Sequence, residues 1–249
     1  MADNDHIYRR DAELERLREM LRARRSFLLH GPAGVGKTVV AKQLASELAN
    51  VLYSPQSTTS QGTFRELAME LVRCRNKPVI EALGETALGR INNMSAVSIR
   101  GVVSEGLRQG MYWVMLDGMR CPSQAFATAI KELVARATTP VMAIARSAHM
   151  EDVGFLLPMF ADRTERYALR NFEREIALTF AQKVVAQMGL TAANLDDVLQ
   201  KVVRYSDGNP GAILSMLRMA RSPKYGIDGH IAISPLYVDF RLGRVGKNA

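Results

Sequence analysis

Eight residues, Gly31-Pro32-Ala33-Gly34-Val35-Gly36-Lys37-Thr38, constrain this 249-residue chain more than any other segment. They fit the spacing of a glycine, four residues, then Gly-Lys-Thr. The glycines let the backbone turn its N–H groups inward on an anion, at positions where a Cβ would obstruct. Lys37 then sets an ammonium on the β- and γ-phosphates of a nucleotide, and Thr38 offers a hydroxyl to Mg²⁺. The flanks support this reading. Residues 26–30, Ser-Phe-Leu-Leu-His, read as a buried strand entering the loop. Thr38 to Leu48 reads as a helix leaving it, with Val40, Leu44, Ala45 and Leu48 at helical spacing. The candidate nucleotide-binding residues are therefore Gly31, Pro32, Ala33, Gly34, Val35, Gly36, Lys37, Thr38 and Val39, with ATP and Mg²⁺ as the implied cofactors.

The rest of the chain repeats the alternation of short apolar strands with helices, which indicates α/β layering around a parallel sheet. A helix is expected over 11–24, with Leu14, Leu17 and Leu21 in one stripe. A short strand follows at 51–54, a polar loop at 55–62 and a helix from Thr63 to about Arg73. Residues 76–96 are weakly patterned and read as helical turns, and 98–109 as a helix. Tyr112 to Leu116 is a strongly apolar strand ending at Asp117. A helix over 123–137, a buried strand over 141–145 and a last strand at 167–169 complete the pattern. Beyond Arg170–Asn171 the character changes to three successive helices, 172–188, 195–205 and 210–220. The expected organisation is a P-loop core over 1–170, a helical lid over 171–222 and an extended basic tail over 223–249.

A nucleotide site of this kind needs an acid at the end of a neighbouring buried strand to hold the metal shell. Asp117 supplies it, and with Thr38 forms the candidate metal pair. Many such sites carry a glutamate at the following position to polarise the attacking water. Here that position is Gly118, so hydrolysis is expected to be slow or to borrow an acid from elsewhere. Arg146 and Ser147 follow the next buried strand, at the sheet edge where open α/β sheets bind ligands. Arg146 is the candidate γ-phosphate sensor and, with Lys37 and Asp117, the candidate catalytic set. Arg163 and Arg166 precede the last strand, where an arginine could reach a neighbouring subunit's nucleotide or make a surface ion pair. In residues 207–211, Asp-Gly-Asn-Pro-Gly, Asn209 can cap a helix with Pro210 in its first turn.

Charge and cysteine content narrow the setting. Lys and Arg outnumber Asp and Glu by 33 to 25, a net charge of +8. This favours an anionic partner such as nucleic acid. Arginines crowd the first helix, and Arg241, Arg244 and Lys247 load the tail. Cys74 and Cys121 are too few for a disulfide framework, and the four histidines are scattered. No apolar run is long enough to span a membrane, and residues 1–6 lack the layout of a signal peptide. A cytoplasmic location is expected.

Taken together, these residues resemble the AAA+ superfamily, in particular its STAND and archaeal-type branch and the related replication-initiator ATPases. The run from Ile7 to Leu14, Ile-Tyr-Arg-Arg-Asp-Ala-Glu-Leu, is similar to the superfamily's opening motif, with Arg9 in place of its glycine. The resemblance implies that Ile7 and Tyr8 pack on the adenine. Residues 208–210, Gly-Asn-Pro, are similar to the Gly-x-Pro lid motif of STAND proteins, which implies that Pro210 faces the nucleotide. The lid arginine of many AAA+ members has no counterpart. A short, basic, single-module chain of this kind looks more like transposition or replication accessory ATPases than like a STAND protein with a repeat array. The resemblance implies an ATP-dependent switch that forms a homo-oligomer or engages a protein partner. A DNA-binding ATPase acting through the basic first helix and tail is the alternative. An interaction module whose nucleotide is structural is a third.

Overall fold

The computed structural model describes residues 8–84, 87–108 and 110–245 of this chain, the side chains of Arg244 and Val245 excepted. The chain divides into two units. Among the described residues the first comprises 10–31 and 37–169, and the second 170–245 together with 8–9 and 32–36.

In the first unit the elements run α1 (Asp11–Arg22), β1 (Phe27–His30), α2 (Lys37–Glu47), β2 (Val51–Ser54), α3 (Ser60–Arg73), α4 (Lys77–Leu83), α5 (Ala87–Asn93), α6 (Ala96–Arg108), β3 (Trp113–Leu116), α7 (Gln124–Ala137), β4 (Val141–Ala145), α8 (Met150–Val153) and β5 (Arg166–Ala168). Between α8 and β5 the chain makes 3-10 turns at Gly154–Phe160 and Arg163–Glu165. The five strands form one sheet in the order β2-β3-β4-β1-β5, with every pairing parallel. β3 and β4 are buried along their whole length, which is why they read as unbroken apolar runs rather than alternating ones. β1 pairs with β4 in the register Leu29 to Ile144, and β2 with β3 in the register Tyr53 to Met115. The order puts the carboxyl end of β4 between the ends of β3 and β1, so Asp117, Arg146 and Gly31 emerge along one edge.

The weakly patterned stretch 76–96 folds into α4 and α5 because of one polar anchor. Buried Asn76 caps α4 by accepting from Val79 N, and its amide donates to Gly106 O at 2.8 Å and Tyr112 Oη at 2.9 Å. A Cβ on Gly106 would lie 2.7 Å from Val79 Cγ2, so α4 and α6 pack with no room for a side chain between them. These contacts join residues 30 and 36 positions apart, and periodicity does not reveal them.

The second unit holds α9 (Arg174–Met188), α10 (Leu195–Ser206), α11 (Pro210–Ala220), a short hairpin of β6 (Gly226–Ile227) and β7 (His230–Ile231), and α12 (Ile233–Val245). Its core is Phe180, Val184, Val202, Ile213, Met216 and Leu217, joined by Leu236 and Phe240. The last two correct the expectation of an extended tail. Residues 233–245 form a helix whose Ile233, Leu236 and Phe240 are buried, a spacing of one helical face. Pro235 is accommodated because it falls in the first turn, where its missing N–H has no partner to lose. Among the described residues no helix is long and apolar enough to cross a membrane.

Candidate nucleotide site

In the first unit the site is built on the end of β3. Asp117 is buried and fixed by backbone bonds on both sides: its N–H donates to Ser54 O and its carbonyl accepts from Ser57 N, each at 2.8 Å. Its carboxylate takes three donors. Thr38 Oγ1 and Tyr53 Oη both donate to Oδ2 at 2.7 Å, and Gly118 N donates to Oδ1 at 2.7 Å. Thr38 opens α2, and Tyr53 reaches across from β2, whose pairing with β3 sets its height. Burial, together with the bond to Asp117, raises the Tyr53 phenol well above its usual range, so it stays a donor.

Lys37 is half-buried, and its ammonium donates to Gly31 O at 2.7 Å. Burial pushes its pKa down to about 8. The charge of Asp117 opposes that shift, Arg146 adds to it, and Asp152 opposes it. Arg146 stands exposed at the end of β4. His30, where β1 meets the loop, is held below its usual range by burial and then by Arg166, His149 and Lys37.

The residues fit a nucleotide and its metal. Gly34 and Gly36 have φ of +81° and +102°, and a Cβ on Gly36 would meet nothing within 4 Å, so the loop forms a cradle that a side chain would fill. Val35 is buried beneath it, and Val39 is half-buried one residue past Thr38. A hydroxyl that donates to Asp117 keeps its lone pairs for a cation. Among the described residues no group of three acidic, histidine or cysteine side chains could hold a metal alone. The chemistry therefore suits Mg²⁺ brought in by a polyphosphate, which Thr38 and Asp117 would hold. When bound, that ion would neutralise charge on the phosphate oxygens.

In the second unit, residues 32–36 pack with the start of α11. Asn209 is buried and uses its whole side chain. Oδ1 caps the helix by accepting from Ala212 N at 3.1 Å, while Nδ2 donates to Ala33 O and to Asn171 Oδ1, each at 3.0 Å. Gly211 N donates to Gly34 O at 2.9 Å. Pro210 is buried at the first position of α11. Gly208 has φ +68°, and a Cβ there would lie 2.1 Å from Phe172 O, so the glycine of this motif is sterically required. Tyr8 is half-buried with its ring 5.8 Å from that of Phe180 and 5.6 Å from Lys183 Nζ. Ile7 lies outside the described residues.

Arg166 donates from Nε to Phe160 O at 2.6 Å. Arg163 is exposed in the turn before β5. Sequence reasoning missed Tyr53 and Asp152. Tyr53 looked like an ordinary strand residue because its role depends on the pairing of β2 with β3.

Comparison of the sequence with curated proteins finds no match. Among solved structures, the fold is similar to a Walker-type ATPase of Pyrococcus abyssi, at 13% identity, covering 99% of this chain and 77% of that one with a TM-score of 0.64. It is also similar to the ORC1 protein of Aeropyrum pernix, solved in complex with DNA, at 16% identity over 97% of this chain and 66% of that one, TM-score 0.66. Cdc6p of Pyrobaculum aerophilum is similar at 14% identity over 88% and 62%, TM-score 0.62. The chain thus spans just under two thirds of ORC1 and Cdc6p. The family model described as the AAA ATPase domain matches residues 6–207. This chain belongs to the AAA ATPase domain family.

Proposed function

We propose that this protein is an ATP-dependent molecular switch that hydrolyses its nucleotide slowly and uses the bound state to self-associate or to engage a partner in the cytoplasm. The observation that carries this reading is the pair of residues at the end of β3. Asp117 is dressed to support a metal through Thr38, whereas the next residue is Gly118. Gly118 has φ +65°, and a Cβ there would lie 2.9 Å from Pro55 O. The backbone is shaped for glycine, so the site keeps its binding half and lacks a water-polarising acid at that position. Slow hydrolysis leaves a long-lived ATP state, as a switch requires. Lys37 would hold the β- and γ-phosphates and Arg146 would read the γ-phosphate. Lys37→Ala should abolish Mg·ATP binding measured by calorimetry, and sizing with and without ATP should show an ATP-dependent change in mass. Retained affinity in Lys37→Ala would remove the site assignment, and an unchanged mass would remove self-association.

DNA as the partner is the second reading, supported by the net charge of +8 and by a fold shared with an ORC1 protein that binds DNA. The first helix supports it less than its arginines suggest. α1 holds four acids and three arginines. Arg16 pairs with Glu19, Arg18 with Glu15 and Glu47, and Arg22 with Glu15. Each cation there would bring an acid towards the same phosphate. A DNA face would have to draw on basic residues elsewhere, and its binding should weaken steeply with salt. No binding at low salt with ATP present would exclude it.

A further inference from the structure

We infer that Asp152 is the carboxylate that orients the attacking water, replacing the acid that position 118 cannot carry. The assignment rests on the reading of this protein as an ATPase. α8 carries Asp152 at the carboxyl end of β4, the strand lying between β3 with its Asp117 and β1, which leads to Gly31. An acid there lies at the same end of the sheet as Lys37 and Thr38, where the terminal phosphate of a bound nucleotide would lie. Its charge, like that of Asp117, opposes the lowering of the Lys37 pKa.

The local structure aims the group. Ser147 Oγ donates to Asp152 Oδ2 at 2.6 Å and also accepts from His149 N at 3.2 Å. The hydroxyl therefore sets both the carboxylate and the turn that presents it. Among the described residues Oδ1 has no donor, which leaves it for a water. The backbone is clamped to the loop after β3: Cys121 N donates to Asp152 O at 3.1 Å and Phe155 N to Pro122 O at 3.4 Å. Gly154, at φ +54°, permits that approach, since a Cβ there would lie 2.5 Å from Pro122 O. Asp152 is half-buried and held on three sides, unlike a solvated surface acid.

A rival acid, Glu66, is excluded by the pleat of β2. Glu66 accepts from Ser54 Oγ. Tyr53, one residue earlier, points to Asp117 and Thr38, so Ser54 and Glu66 occupy the opposite face of the sheet.

In the step, the water oxygen bonds to the γ-phosphorus as the bond from that phosphorus to the β–γ bridging oxygen breaks. The electron pair of the broken bond leaves on ADP, and the water proton passes to Asp152 Oδ1. Phosphate and ADP are the products, and the proton returns to solvent.

Asp152→Asn tests the assignment, because asparagine still accepts from Ser147 and the clamp is backbone. Three readouts are needed: Mg·ATP affinity, affinity for ADP with aluminium fluoride relative to ADP alone, and single-turnover phosphate release with protein in excess. Asp152→Asn should keep ATP and ADP affinity within about twofold, lose about tenfold of the gain from aluminium fluoride, and slow turnover about a hundredfold. Asp152→Glu provides a second variant if the melting temperature of Asp152→Asn shows that it misfolds, and it should be slowed as well, because its longer side chain misplaces the carboxylate. Turnover within about threefold of wild type in the folded variant overturns the assignment. So does a loss in Glu66→Gln with Asp152→Asn unaffected, or wild-type protein that binds Mg·ATP yet releases no phosphate. Wild-type protein that fails to bind Mg·ATP instead overturns the ATPase reading itself.

Discussion

Thr38 and Tyr53 donate to the same oxygen, Oδ2 of Asp117, each at 2.7 Å. One donor comes from the start of the loop helix and the other from the edge strand, so the carboxylate is held from two directions. Thr38 also has lone pairs for a cation, whereas the Tyr53 phenol only orients the acid. The two should therefore fail differently. Tyr53→Phe should raise the Mg²⁺ concentration needed for ATP binding by a few fold, about 1 kcal/mol, and leave metal-free affinity unchanged. Thr38→Ala should remove most of the metal dependence, at a cost of about 2 kcal/mol. Magnesium titrations of nucleotide binding by both variants check this, and equal effects from the two would contradict the division of roles.

Restoring the acid that many related sites carry should not help. Gly118→Glu puts a side chain where φ is +65° and Pro55 O lies 2.9 Å from the Cβ. The left-handed backbone alone costs about 1–2 kcal/mol. For a chain of this size that lowers the melting temperature by about 2–8 °C. Turnover should stay at or below the wild-type rate. A stable Gly118→Glu variant with faster hydrolysis would show that the glycine is not imposed by the backbone.

The two halves of the site differ in how far they could be read before the fold was known. Residues 31–38 carry their chemistry in their spacing, and Asp117 ends an apolar run that announces a buried strand. The strand order, with β4 between β3 and β1, was not read from the sequence. Tyr53 and Asp152 carry no local signal. Their roles appear only when β2 lies beside β3 and α8 closes against the loop after β3, contacts between residues far apart in the chain. The helical end at 233–245 was hidden for another reason: β-branched residues and Pro235 read as extended, while the burial of Ile233, Leu236 and Phe240 decides for a helix. Tertiary burial outweighs local propensity there.

Nucleotide binding should take up protons near pH 8. Burial holds the Lys37 pKa at about 8, so close to half of the free protein carries a neutral amine at that pH. Phosphate binding favours the charged form and raises the pKa. Affinity should therefore fall as pH rises through 8, and binding at pH 8 should consume about half a proton per site. Below pH 7 the uptake should vanish, because Lys37 is already charged. Calorimetry at pH 8 in buffers of different ionisation enthalpy measures the uptake, and Lys37→Arg should abolish it. Proton release, or no change, would show that the amine is not the group being charged.

Asn209 separates helix capping from loop support. Its Oδ1 caps α11 through Ala212 N, and its Nδ2 donates to Ala33 O and Asn171 Oδ1. Asn209→Ala loses both functions in a buried position and should cost about 2–4 kcal/mol of stability. Asn209→Asp keeps an oxygen for the cap but has no N–H for Ala33, and sets a carboxylate against a carbonyl oxygen. Its charge at the helix start is favourable, which limits the damage to the helix. Asn209→Asp should therefore melt above Asn209→Ala yet bind ATP about tenfold more weakly than wild type, because residues 33–34 lose their support. Gly34→Ala should behave like Asn209→Asp in binding, since its Cβ would lie 2.6 Å from Asn209 Oδ1. Melting curves and ATP titrations on the three variants separate the two effects. If Asn209→Asp binds ATP as wild type does, Asn209 serves the helix alone.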